Sequence, residues 1–116
     1  MNIEDFRSFC LSLSAVTEDL PFDDRVLTFK VGGKIFALTN LEQFSSVNLK
    51  CDPERAIELR EMYSAVRAGY HMSKKHWNTI EIDGSIDDQL IFEWTKNSYD
   101  LVAGGLTKKQ RQESGL

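Results

Sequence analysis

Apolar positions along this chain repeat with two periods, and the switches between them predict its elements. Ile3, Phe6, Phe9, Cys10 and Leu13 recur at helical spacing behind Asn2, an N-cap residue with Asp5 three positions on. This predicts a first helix ending near Ser14. Thr17 to Asp24 is read as a turn-rich acidic stretch. Val26–Val31 and Lys34–Thr39 then flank Gly32-Gly33, the composition of a two-residue hairpin turn whose backbone visits φ > 0. An ungapped register pairs Phe29 with Phe36 and Leu27 with Leu38 on an apolar face. It pairs Thr28 with Ala37 and Lys30 with Ile35 on a mixed one. After a loop at 40–45, Ser46 to Cys51 alternates: Val47, Leu49 and Cys51 point inward, Ser46, Asn48 and Lys50 outward.

Asp52-Pro53-Glu54 opens a second helix with an acidic cap, proline at the first helical position and a further acid in the first turn. Its predicted buried stripe is Ala56, Leu59, Met62, Tyr63 and Val66. Asn78 to Ile82 reads as a strand closed by Asp83-Gly84. Ser85 is the predicted cap of a third helix, with Asp88 in the capping-box position. Leu90, Ile91, Trp94, Leu101 and Val102 form its stripe, and Gly104-Gly105 stops it. The order, helix, three strands, helix, one or two strands, helix, predicts a two-layer α+β fold, an antiparallel sheet with helices packed on one face. The other face, bearing Thr28, Lys30, Asn48 and Lys50, is expected to stay partly open. Neither repeats nor a linker interrupt residues 1–105, read as one domain, and the polar tail 106–116 is expected to fray.

At 116 residues with 41% hydrophobic positions, the chain can build one core without staples. No apolar run reaches the ~18 residues of a spanning helix, and the acidic N-terminus lacks a secretory signal. The expectation is a cytoplasmic protein with no membrane partner. Cys10 and Cys51 fall on apolar stripes and read as core hydrophobes rather than a redox pair.

The net charge of −4 conceals segregation. Residues 1–25 carry six acids against two bases, and 78–103 six acids against one. Arg67, Lys74 and Lys75 give 67–77 a net +3, and the tail 104–116 has net +2. A local basic patch can bind anions whatever the total. It coincides with the segment that no secondary-structure period explains, Gly69-Tyr70-His71-Met72-Ser73-Lys74-Lys75-His76-Trp77-Asn78-Thr79. Such a run is where function is expected to reside.

These residues, together with Leu20-Pro21-Phe22, the hairpin Phe29 to Leu38, Leu49 to Glu54, Asp83-Gly84-Ser85 and Ser98 to Val102, resemble the MmcQ/YjbR family of small bacterial proteins over nearly the whole chain. The resemblance implies a domain akin to frataxin-type and secretion-chaperone-type folds. It also implies DNA binding by a double-wing arrangement of strands and loops. The chain departs from the family pattern at Leu13-Ser14-Ala15-Val16, where many members have Leu-Pro-Gly-Val, and at Phe22-Asp23, where many have Phe-Gly. Both departures touch turns and leave the basic segment intact.

Phosphate contact needs flexible cations, and single strands also offer bases to stack. Lys74 and Lys75 are the leading candidates, assisted by Arg67, His71 and His76, with Trp77 as a stacking plane. Lys30, Lys34 and Lys50 would extend the footprint. The plainer alternative makes Tyr70 and Trp77 lids on the core, with His71 and His76 fixing the loop through backbone carbonyls. A second function class is a protein-interaction module, docking a peptide or partner strand on the open sheet face or edge. A catalytic role is not expected: there is no Gly-x-Ser-x-Gly, P-loop or paired-carboxylate signature. No metal or cofactor is expected either. His71 and His76 lack the helical i, i+4 spacing and have no Cys pair nearby. The acids Glu4, Asp5, Glu18, Asp19, Asp23 and Asp24 read as a solvated face rather than an iron site of the frataxin type.

Overall fold

The computed structural model describes residues 1–69 and 72–116. Its elements in chain order are α1 (Ile3–Ser12), β1 (Val16–Asp19), β2 (Val26–Val31), β3 (Lys34–Asn40), β4 (Ser46–Lys50), α2 (Pro53–Met62), β5 (Val66–Ala68), β6 (Trp77–Glu81), α3 (Asp88–Gly104) and α4 (Lys108–Ser114). The strands form one antiparallel sheet in the order β1-β2-β3-β4-β6-β5. Phe6 and Cys10 of α1, Leu59 of α2, and Ile91, Trp94, Tyr99 and Val102 of α3 share one apolar cluster with Phe29, Val31, Ala37, Val47, Leu49 and Ile80 of the sheet. This is the expected α+β architecture, with α1, α2 and α3 on a single face.

Local chemistry starts the helices as anticipated in two of three cases. Asn2 Oδ1 accepts the Asp5 N–H at 2.8 Å, and Asp52 caps α2 ahead of Pro53. The third helix is capped by Asp87, not Ser85, because Ser85 donates its N–H and hydroxyl to Asp83 in the preceding turn. Three stripe assignments are also corrected. Met62 and Leu101 are exposed, and Val66 belongs to β5, because α2 stops at Met62. The tail does not fray at once. Thr107 and Gln110 form a reciprocal capping box that starts α4, and Arg111 donates to the Ala103 carbonyl at 2.8 Å.

The acidic stretch read as turns contains an edge strand. In β1 only Val16 is apolar, so no alternation marks it. Polar links from α1 and β2 hold it instead, with Arg7 gripping Glu18 and Asp19 accepting from Thr28 and Lys30. The chain enters β1 through Ala15 at φ 61°, a left-handed conformation costly for a residue with a Cβ.

The hairpin keeps its Gly32-Gly33 turn but not its ungapped register. Lys30 pairs with Ile35, yet Phe29 pairs with Ala37, so Phe36 is an extra residue in β3. A bulge of this kind shifts every later partner by one. Phe29 and Phe36 are therefore both fully buried without facing each other, and Leu38 pairs with Thr28 instead of Leu27. The bulge also parts β3 from β4, whose pairing runs only from Ala37↔Leu49 to Thr39↔Val47. Ser98 of α3 enters the gap: its hydroxyl accepts the Lys50 N–H at 2.8 Å and donates to the Phe36 carbonyl at 2.5 Å. A helix side chain thus replaces the missing rung.

On the face without helices, cross-strand partners align Asp19, Thr28, Leu38, Asn48, Thr79 and Arg67 in one row across all six strands. The row bonds internally, Thr28 to Asp19 at 2.6 Å and Thr79 to Asn48. Thr28 and Thr79 are buried, so this face is less open than the alternation suggested.

Candidate nucleic-acid interface

Antiparallel geometry brings the start of β3, the end of β4 and the start of β6 to one end of the sheet. Lys34 stands beside the hairpin tip, Lys50 pairs with Trp77, and the Cys51 N–H donates to the His76 carbonyl at 2.7 Å. The turn preceding β6 carries Lys74 and Lys75, and the Ser73 carbonyl closes it by accepting from the N–H groups of His76 and Trp77 at 3.2 and 3.0 Å. Both lysines are exposed.

Arg60 of α2 fastens this turn. Its Nε donates to Asn78 Oδ1 at 2.6 Å, and its NH2 group donates to the carbonyls of Lys74 and Trp77. Asn78 in turn donates to the Ala56 carbonyl at 3.3 Å. A planar guanidinium can hold several acceptors in fixed geometry where an ammonium could not. The cationic turn is thereby tied to both α2 and β6. On its other side, Gly69 donates its N–H to the Trp77 carbonyl at 2.8 Å. A Cβ at Gly69 would stand 2.8 Å from the Trp77 Cβ, so only glycine permits this approach.

The expected cations divide by whether an acid already holds them. Arg67 is ion-paired with Glu81, and Lys30 with Asp19 at 3.1 Å. Neither adds free positive charge, although sequence spacing counted both. Among the described residues, Lys34, Lys50, Lys74 and Lys75 have no ion-pair partner. The structure therefore gathers four uncompensated lysines at one end and removes two cations from the expected set. Trp77 is 9% exposed and His76 half-buried, so Trp77 presents little ring surface for stacking. Tyr70 and His71 lie outside the described residues.

Sequence reasoning passed over Arg60, which reads as a solvated helix charge, and Asn78, which reads as an ordinary strand residue. Their signal is contextual: an amide side chain at a buried strand position needs partners, and a nearby arginine can provide them. Cys10 is buried in the core as expected, whereas Cys51 is half-buried at the end of β4. Burial pushes both the Cys10 and Cys51 thiols above their ordinary value. No cluster of metal-ligating side chains occurs among the described residues. No helix among them is long and apolar enough to cross a membrane.

Residues 11–101 match the family model described as YjbR. The protein YbdF of Escherichia coli O157:H7 is 34% identical over 110 residues, covering 94% of this chain and 90% of that protein. The protein YjbR of Escherichia coli K12 is 30% identical over 113 residues, covering 97% and 96%. Among solved structures, Deinococcus radiodurans protein DR2400, a DUF419 domain, superposes with a TM-score of 0.91 at 42% identity, covering 99% of this chain and 88% of its own. A Pseudomonas syringae protein shares the fold with a TM-score of 0.74 at 23% identity, covering 88% and 99%.

Proposed function

The chain belongs to the YjbR family, and we propose that it binds nucleic acid weakly through phosphate contacts at the Lys34–Lys50–Lys74–Lys75 end of its sheet. The observation that carries this proposal is the pair Lys74 and Lys75: exposed, without a counter-ion among the described residues, on a turn that Arg60 ties to the scaffold. Lys74 and Lys75 are free to meet a phosphate from an anchored turn, whereas Arg67 and Lys30 would first have to leave their carboxylates. Four cations at ~0.9 counterions each give a salt slope near −3.6, hence a loss of roughly 100-fold in affinity between about 50 and about 200 mM salt. Catalysis forms no part of the proposal. The test is fluorescence anisotropy of labelled single- and double-stranded DNA at low and high salt. Saturable, salt-sensitive binding that disappears in Lys74→Glu/Lys75→Glu supports it, and no binding in low salt overturns it.

A protein-docking role is favoured by a different observation. Phe22 is 69% exposed, with Leu20 and Leu41 also exposed, at the opposite end of the sheet, where the Leu41 N–H bonds the Arg25 carbonyl. A partner on that surface would survive nuclease treatment and be lost with Phe22→Ser. Binding that survived Phe22→Ser would count against a docking role for this surface.

A further inference from the structure

Beside the cationic turn, a hollow of about 370 Å³ lies between α2, α3 and the β4–β6 part of the sheet. Its walls are mainly apolar, formed by Cys51, Leu59, Ile80, Trp94 and Leu101. This volume falls in the range of small-molecule sites, and apolar walls with few polar groups are their usual composition. Nothing in phosphate binding at Lys74 and Lys75 requires such a hollow. We propose that it is a binding site for a small amphipathic molecule, an apolar chain or ring carrying a single anionic head, with Lys50 meeting the head.

The charges bordering the hollow decide the sign of the ligand. Arg55 is held by Glu58 at 2.9 Å, and Asp100 by Lys96 at 2.6 Å. Asp52 is occupied in capping α2, where it accepts the Arg55 N–H. Asp52 keeps its negative charge there but is turned to the positive end of α2, so among the bordering cations Lys50 alone has no ion-pair partner among the described residues and is free to meet an anion. Asn97, also on the rim, makes no side-chain hydrogen bond within the described residues and can serve a carboxylate or phosphate oxygen. The Asn78 amide is committed on both sides, to Arg60 and Ala56, and adds no free polarity to the floor. An apolar body in the hollow would bury surface that Leu101 and Cys51 now expose. The head would stay at the rim, where one ammonium pairs with one anion.

Cys51 lines the hollow while Cys10 is fully buried, so alkylation of Cys51 reports occupancy. The probe is octanoate, with 1-octanol as its neutral counterpart, and the readout is the rate of iodoacetamide modification followed by intact mass. Octanoate slows Cys51 modification saturably, with a dissociation constant of roughly millimolar for a ligand of this size. It protects better than octanol, and Lys50→Gln removes that preference, weakening octanoate by roughly tenfold. Leu101→Trp, at an exposed position that tolerates bulk, fills the hollow and abolishes protection. The Lys74→Glu/Lys75→Glu variant retains protection, which separates this site from phosphate contact at the turn. Unchanged modification rates with octanoate, or protection indifferent to Leu101→Trp, would overturn the proposal. Equal protection by octanol would refute the anionic head.

Discussion

The two ends of the sheet treat charge in opposite ways. At the end holding Asp19, Asp23, Glu42 and Glu81, charged groups are occupied. Arg25 pairs with Glu42 at 3.4 Å and Arg67 with Glu81, Asp19 draws in Lys30 from the hairpin side, and Asp23 accepts the N–H groups of Arg25 and Val26. At the other end Lys34, Lys50, Lys74 and Lys75 carry no ion pair among the described residues, and Arg60 serves backbone carbonyls and the Asn78 amide instead of an acid. One end spends its charges on the fold, and the other keeps them available. A count of Lys and Arg along the sequence could not distinguish these states, because pairing is a property of strand neighbours.

The largest effect should come from reversing charge at each end in turn. Lys74→Glu/Lys75→Glu is expected to reduce DNA affinity by roughly 100-fold or more with an unchanged melting temperature. Swapping the partners of an occupied pair, Arg25→Glu/Glu42→Arg, should leave affinity within about twofold, since that pair stays neutral. Equal losses from both variants would dissolve the distinction between the ends.

Next in size is the fastening of the turn. Arg60→Ala orphans the Asn78 Oδ1 and two carbonyls, and should cost about 2–3 kcal/mol in urea unfolding, as loss of a charge-assisted network does. It should also weaken DNA binding without changing the net charge of the turn itself. Arg60→Lys should recover only part of the stability, because one ammonium cannot reproduce the fork.

Acid should loosen the occupied end first. The Thr28 hydroxyl and then Lys30 hold the Asp19 carboxyl below its usual range, and backbone N–H groups of Arg25 and Val26 do the same for Asp23. A lowered folded-state pKa contributes stability above the unfolded value, and that contribution is lost as pH falls through the folded value. Amide protection at Val26 should therefore drop below about pH 4, while Trp77, closed by the Ser73 carbonyl, keeps its protection. Thr28→Val should move the loss at β1 to higher pH.

The smallest effect concerns the entry to β1. Ala15→Gly removes the left-handed strain at φ 61° and should stabilise the fold by about 0.5 kcal/mol, the strain relief exceeding the added chain entropy. Thermal unfolding measures it, and a lower melting temperature would contradict the strain assignment.

How much of this was legible in the sequence depended on whether the deciding interaction was local. Asn2, Asp52-Pro53 and Gly32-Gly33 act on their own neighbours, and they placed α1, α2 and the hairpin correctly. Edge strand β1 escaped because its partners, Arg7 and Thr28, lie outside its own segment. The bulge at Phe36 was hidden because an apolar residue there suits either register. Ser98 looked like a neutral helix position, yet it completes the sheet between Lys50 and Phe36, 62 residues from the latter. Within the interface, Lys74 and Lys75 were visible from composition. Neither the neutralisation of Arg67 nor the role of Arg60 could be seen without the register of β5, β6 and α2.

The most direct measurement follows backbone amide resonances of the whole protein during titration with a short DNA duplex at low salt. Selective shifts at Lys34, Lys50 and the Ser73–Trp77 turn, with Arg25 and Arg67 unmoved, are the predicted result. Shifts centred on Arg25 and Arg67, or spread evenly over both ends, would contradict the claim that the uncompensated end is the one that binds.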